Sequence, residues 1–439
     1  MTEHESAESV LSSIQGTEFT MAVIGIGRVG LPLALSFAHS GVTVIGVDRN
    51  PEHVRVVNSG VLPFMEEGAK PLLEESLANG RFIATTDSSR SVAAADVVIL
   101  TVGTPLNPNL RADTSQLVSA LEEVGSALIP GTLVITRSTI SPGTTERVVV
   151  PTLERLSGLT LGKDLFIAFC PERIAEGKAI QELRELPEII GGADEESTNR
   201  AESVFRVLSD TKLLHRTDPL SAELAKLYTN VYRYVNFALA NEYALIAEHY
   251  GTDSHRIIRM LREEYPRAQI PLPGPAGGPC LSKDGYFLIE ELTFPDFVLT
   301  AWKLNDSVPA HLVQRLKTLL AAKGHGLEGA KIAVLGKAFK ADIDDDRLSP
   351  SNRVIEMLDR SGADVWVHDP YLSDIDLDDA LKEARGVILA TNHRMYYKLD
   401  AARIADLVHP DCVVVDAWDV FDPDEASAAG LELATFGRG

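Results

Sequence analysis

The chain has 439 residues, 45% of them hydrophobic and 24% charged, a formal net charge of −22, and three cysteines. That length allows two or three domains with their own cores, and the charge excludes nucleic acid as a partner, since phosphates need a basic surface. Cys170, Cys280 and Cys412 are too few for a disulfide framework, which with no export signal points to a reducing cytoplasm.

In chain order, residues 1–17 are polar and acidic and read as a disordered tail rather than a signal peptide. The most apolar window, Val29 to Val47, is broken by Pro32, His39, Ser40 and Gly41, so no membrane span is expected. From Thr20 the runs "TMAVIGIG", "VTVIGVD", "RFIATTD", "DVVILTVGTP", "GTLVITRSTI" and "LFIAFCPER" alternate with helical patterns. Such alternation means βαβ units, a parallel sheet and helices on both faces. Near residue 215 the texture changes to "DPLSAELAKLYTNVYRYVNFALANEYALIAEHYG", which has no proline after Pro219 and a stop at Gly251. One helix of about thirty residues is expected there, long enough to be a spine between domains or subunits. After residue 331, "KIAVLGKAF", "ADVWVHDPY", "RGVILATNH" and "DCVVVDAWD" repeat the strand-helix rhythm. The fold class is α/β: two Rossmann-like parallel-sheet domains at 18–210 and 311–439, joined by a central helical domain at 211–310. The "GKAFK" that follows the last domain's first strand lacks the full glycine fingerprint, so that domain is expected to bind something other than a dinucleotide.

The motifs carry the chemistry. "GIGRVG" sets Gly25, Gly27 and Gly30 between a strand and a helix, and Asp48 ends the next strand. Glycines there permit a tight turn, close approach of a pyrophosphate and helix-strand packing, while the carboxylate accepts from ribose hydroxyls. The pattern predicts NAD rather than NADP, although Arg49 follows Asp48. "TVGTP", with Thr104, and "RSTISPGTTE", with Thr139, end strands and read equally as turn and cap residues. "FCPERIAEGKA" spaces Glu172 and Glu176 so that they share a face if the segment is helical; the alternative is a solvated surface. Lys226 and Asn230 are one turn apart on the long helix, where the lysine either snorkels to water or stabilises an oxyanion. "PGPAGGPCLSKDG" puts Cys280, Lys283 and Asp284 together after glycines, Gly277 among them, that let a substrate approach the backbone. A lysine beside a thiol lowers its pKa and favours the nucleophilic thiolate; a small buried hydrophobe is the other reading of Cys280.

Taken in order, "GIGRVGLPLA", "GTP", "RSTISPGTT", "PERIAEG", "AELAKLYTN", "GGPCLSKD" and "GKAFKADIDDDRLSPS" resemble the nucleotide-sugar 6-dehydrogenases, relatives of UDP-glucose dehydrogenase, from about residue 20 to about 430. The resemblance implies oxidation of a sugar C6 alcohol to a carboxylate with two NAD, through a thiohemiacetal and thioester on Cys280. It implies that Lys226 and Asn230 stabilise alkoxide and oxyanions, that Asp284 and Thr139 handle a water, and that Glu172 is the base in thioester hydrolysis. Glu176, Thr104 and Lys283 would lie along the cofactor, Lys340 and Arg347 would close over sugar and nicotinamide, and Arg267 would reach a partner's site in a homodimer. No metal is implied.

The "GPAGGPC" loop and "CPER" resemble the branch acting on UDP-N-acetylhexosamines, above all UDP-N-acetyl-D-mannosamine, whereas Pro279 and Lys283 depart from that branch. UDP-N-acetylglucosamine and UDP-glucose stay open as substrates. Two rivals are a nucleotide-sugar sensor without chemistry and a single-step 3-hydroxy acid dehydrogenase, which would need no cysteine.

Overall fold

The computed structural model describes residues 19–439; the expected tail at 1–17 lies outside them. The chain divides into two compact units, one made of the residues up to Thr229 with Tyr286–Glu290, the other of Asn230–Gly285 with Glu291–Gly439.

The first unit is built on eight strands: β1 Thr20–Ile24, β2 Thr43–Val47, β3 Phe82–Thr85, β4 Val97–Leu100, β5 Leu133–Thr136, β6 Phe166–Phe169, β7 Glu188–Gly192 and β8 Leu214–Thr217. Their order is β3-β2-β1-β4-β5-β6-β7-β8. The first six follow the doubly wound dinucleotide-binding order, whose chain direction across the sheet reverses between β1 and β4. Both faces are covered, and the side chains alternate between two cores. Val97 and Ile99 pack with Met21, Val23, Leu133 and Ile135, while Val98 and Leu100 pack with Ala22, Ile24 and Val134. That period of two explains the continuous apolar runs seen in the sequence.

β7 and β8 extend the sheet beyond the sequence reading. β7 runs antiparallel to β6, with Phe169 opposite Gly191, and parallel to β8. β8 reads "LHRT", and its His215 and Arg216 are exposed. It is a polar edge strand without the apolar run by which β1 to β6 were recognised.

The long helix forms as expected, over Pro219–His249. Its residues from Asn230 onward belong to the second unit. That unit also holds helix Asp296–Ala322 and a parallel sheet of β9 Lys331–Leu335, β10 Asp364–His368, β11 Gly386–Leu389, β12 Val413–Asp416 and β13 Glu432–Thr435, in the order β10-β9-β11-β12-β13. After β9 the chain turns at Gly336, and the amides of Lys337 and Ala338 donate to the Asp369 carboxylate at 2.7 and 3.0 Å. His393 Nε2 lies 3.0 Å from the same oxygen. The loop amides that would face a pyrophosphate in a dinucleotide site are therefore occupied by the chain's own carboxylate. Among the described residues no helix is long and apolar enough to cross a membrane.

Candidate active site

Each unit holds its own group of candidate residues. In the first, Gly25 turns the chain out of β1 at φ +93°, and its amide donates to the Val47 carbonyl at 2.7 Å. A Cβ on Gly30 would stand 2.0 Å from the Gly25 carbonyl oxygen, so only glycine lets helix Gly30–His39 start this close to the strand. Gly27 faces open space. Asp48 closes β2 half-buried, one oxygen accepting the Asn50 amide at 3.0 Å, and Arg49 is exposed. Open space before a helix N-terminus, with a carboxylate ending the next strand, fits NAD.

Beyond β4 and β5 the hydroxyl segments are tied together. Thr104 Oγ1 donates to the Thr139 carbonyl at 2.6 Å, and Ser138 Oγ to that of Val102 at 2.6 Å. Thr104 is buried and Thr139 half-buried. A buried carboxylate on the long helix holds the next turn: Glu223 accepts the Gly143 amide at 2.5 Å, the Thr145 amide at 2.8 Å and the Thr145 hydroxyl at 2.6 Å. Burial keeps this carboxyl above its ordinary pKa despite those bonds.

Residues 171–175 are not helical, so Glu172 and Glu176 do not share a helix face. Glu172 is buried instead of solvated, and Glu176 is half-buried. Glu172 Oε2 accepts Arg137 Nη2 at 2.7 Å and Nε at 3.1 Å, while Oε1 accepts the amides of Arg173 and Ile174 at 2.8 and 3.0 Å. Burial alone would raise this carboxyl, but the Arg137 charge and these bonds hold it below the ordinary range. Lys226 does not snorkel to water. It is buried, and Nζ donates to the Glu172 main-chain carbonyl at 2.5 Å.

In the second unit Cys280 is exposed and immediately precedes helix Leu281–Ile289, whereas Cys170 and Cys412 are buried. The amides of Lys283 and Asp284 donate to the Cys280 carbonyl at 3.2 and 3.1 Å. The side chain of Asp284 is fully buried; it accepts Lys283 Nζ at 2.9 Å and Asn230 Nδ2 at 2.6 Å. The glycines before the cysteine serve the chain's own packing. A Cβ on Gly277 would meet Pro350 Cδ at 2.5 Å, and one on Gly278, at φ +97°, would meet the Phe339 ring at 2.5 Å. Gly277, expected to admit substrate, also makes room for Pro350.

Arg347 is exposed and pairs with Asp345 at 2.6 Å, Lys340 is half-buried, and exposed Arg267 lies over the Tyr265 ring at 5.5 Å. The reading of motifs gave no place to Arg137, Glu188, Lys212 and Glu223, which the fold buries and pairs. Two of them sit inside quoted motifs, but a charge next to a strand or on a helix reads as solvated until the tertiary structure buries it.

Models of the UDP-glucose/GDP-mannose dehydrogenase family match three stretches: the NAD binding domain over residues 19–209, the central domain over 220–307 and the UDP binding domain over 333–423. The chain belongs to the UDP-glucose/GDP-mannose dehydrogenase family. Like other members, it is an NAD-dependent oxidoreductase acting on a nucleotide sugar. A UDP-N-acetyl-D-mannosamine dehydrogenase of Pyrococcus horikoshii is 37% identical over 378 residues, covering 85% of this chain and 89% of that one. A UDP-N-acetyl-D-glucosamine 6-dehydrogenase of Pseudomonas aeruginosa is 30% identical, covering 93% of this chain and 99% of that one. A solved UDP-D-ManNAc dehydrogenase structure from Pyrococcus horikoshii superposes with a TM-score of 0.90 at 33% identity, covering 96% of this chain and 99% of the other.

Proposed function

We propose that the enzyme oxidises the C6 alcohol of UDP-N-acetyl-D-mannosamine to the carboxylate, consuming two NAD and one water and releasing two NADH and three protons. NAD, when bound, accepts the hydride of each oxidation. Lys226 stabilises the alkoxide formed as the alcohol loses its proton, and Asn230 shares that contact. The Cys280 thiolate then adds to the aldehyde carbon, and the thiohemiacetal loses the second hydride to become a thioester. Water, held by Thr139 and positioned by Asp284, gives its proton to Glu172 and attacks that ester, which releases the acid and the thiol. Thr104, Glu176 and Lys283 line the cofactor; Lys340 and Arg347 contact the sugar and the nicotinamide side.

The observation that carries this reading is Cys280 itself. It is exposed at a helix N-terminus, where negative charge is favoured, beside a lysine and a buried aspartate. A single-step dehydrogenase needs no such thiol. The named relatives support UDP-N-acetyl-D-mannosamine first and UDP-N-acetyl-D-glucosamine second.

The reading includes a cytoplasmic homodimer that uses Arg267 across its interface. Tyr228, Tyr232, Leu239, Tyr243 and Ile246 are exposed along helix Pro219–His249 at spacings of three, four and seven, with exposed Tyr250 just past its end, an apolar seam suited to a second copy. Tyr232→Glu should convert a dimer to a monomer in light scattering, and a wild-type monomer would refute the dimer.

The test of function is stoichiometric. Purified protein receives NAD with UDP-N-acetylmannosamine, UDP-N-acetylglucosamine, UDP-glucose or GDP-mannose, and NADH formed is counted per sugar consumed. Two NADH with the mannosamine sugar preferred is the expected result. One NADH would leave Cys280 without its role, and none with any sugar would favour a sensor.

A further inference from the structure

A polar seam runs through the second unit behind the cysteine loop, and the reaction as proposed gives it no task. Tyr234, Asn241 and Glu248 stand seven residues apart on helix Pro219–His249, so they share one face of it. Each meets helix Asp296–Ala322. The Tyr234 ring lies edge-on to that of Trp302 with centroids 4.4 Å apart, and Asn241 Nδ2 donates to Asn305 Oδ1 at 3.0 Å. Glu248 Oε2 lies 2.8 Å from His311 Nε2, and its other oxygen pairs with Arg315. Asn241 is 0% exposed and Asn305 2%. An apolar pair there would be at least as stabilising, whereas a buried asparagine pair fixes how far one helix is advanced along the other.

The hydrogen bonds of this pair run in one direction and start on the cysteine loop. The Gly274 amide donates to Asn241 Oδ1 at 2.9 Å, Asn241 Nδ2 donates to Asn305, and Asn305 Nδ2 donates to the Tyr234 main-chain carbonyl at 3.0 Å. A main-chain N–H only donates and a carbonyl only accepts, so the two ends fix which way both side-chain amides point. Turning either amide over would set donor against donor or acceptor against acceptor. Past Cys280 the seam takes hold again. Trp302 Nε1 donates to the Ser282 carbonyl at 2.8 Å, and a Cβ on Gly285 would strike the Trp302 ring. On the near side Gly274 also packs against Trp418, whose ring a Cβ there would meet at 2.5 Å. Cys280 thus lies between two fixed points, Gly274 before it and Ser282 after it.

We infer that Asn241 is a positioning residue for the thiol: it fixes the loop that carries Cys280, and Asn305 orients its amide to do so. The inference rests on the dehydrogenase reading above, in which the Cys280 thiolate adds to the aldehyde. The first hydride transfer precedes that addition and does not use the thiol, whereas the second is made from the thiohemiacetal. Slack in the loop therefore delays the second transfer and spares the first. Both asparagines act through the loop.

The experiment compares Asn241→Leu, Asn241→Asp and Asn305→Leu with the wild type. Leucine branches as asparagine does but accepts no hydrogen bond, whereas aspartate keeps an oxygen for Gly274. Stopped-flow follows the two successive NADH, quenched samples separate the aldehyde from the acid, and thermal melting checks folding. The wild-type NADH count, taken first, tests the dehydrogenase reading separately. If Asn241 positions the thiol, Asn241→Leu forms its first NADH at the wild-type rate and its second on the order of ten- to a hundredfold more slowly. Asn305→Leu then shows the same split to a smaller degree, Asn241→Asp recovers part of the second rate, and the KM for NAD stays at the wild-type value. Equal slowing of both transfers would mean that the pair only holds the fold, and would overturn the inference. A second transfer at the wild-type rate in folded Asn241→Leu would overturn it as well. Should Asn241→Leu not fold, Asn241→Asp and Asn305→Leu decide by the same split between first and second transfer.

Discussion

Glu223→Gln changes one carboxylate oxygen to an amide and almost nothing in volume, yet it should lower stability measurably. Glu223 is 1% exposed and lies one helical turn before Lys226, so it ties the helix that carries Lys226 to the segment that follows Thr139. Its carboxylate accepts from Gly143 and twice from Thr145. Glutamine can keep its oxygen on Thr145, but its NH2 then faces the Gly143 amide, one donor against another. One charge-assisted bond is lost and a buried N–H is left without an acceptor, which costs about 2–3 kcal/mol. A cooperative unit of this size loses roughly 2–4 °C of Tm per kcal/mol, so a fall of about 5–10 °C is expected. Circular dichroism melting at neutral pH measures it, with Glu223→Ala expected to fall at least as far. A Glu223→Gln protein melting within about 1 °C of wild type would mean that these three bonds do not hold the segment.

Gly278→Ala combines a left-handed backbone, φ +97°, with a Cβ 2.5 Å from the Phe339 ring. The loss should be about 3 kcal/mol, with turnover falling because Cys280 is two residues away; wild-type melting and activity together would refute it. Asp369 is buried, which would raise its carboxyl, but the bond from His393 and the amides of Ala338 and Lys337 hold it well below the usual range. Its stabilising contribution is therefore present above the unfolded pKa of about 3.9 and is lost as pH falls toward the depressed folded value. In urea unfolding, the stability gap between wild type and Asp369→Asn should shrink by about 1 kcal/mol from pH 5 to pH 3; a constant gap would contradict the hydrogen bonding described.

Local chemistry made part of this protein legible in advance. Gly25, Gly27, Gly30 and Asp48 lie within one strand-helix-strand unit, so their spacing alone specifies the turn, the close approach and the carboxylate. The long helix was readable because thirty-one residues keep an apolar rhythm with no proline beyond the first position. Cys280, Lys283 and Asp284 are neighbours in the chain, and their grouping needed no fold to be noticed.

Tertiary structure decided what depends on partners far apart in sequence. Glu172 looked like a surface carboxylate or a base; the fold buries it and pairs it with Arg137, 35 residues away. Lys226 was either a solvated or a working cation until a carbonyl 54 residues away received its proton donor. Gly277 and Gly278 looked like room for a substrate; the fold adds that a side chain on either would strike Pro350 or Phe339. β8 carries no apolar signal because an edge strand has one side to pair and little to bury. A sequence states which groups a chain carries and the local turns they favour. Burial and long-range pairing determine the setting in which those groups act, because the same carboxylate is solvated on a surface and ion-paired beside a buried arginine.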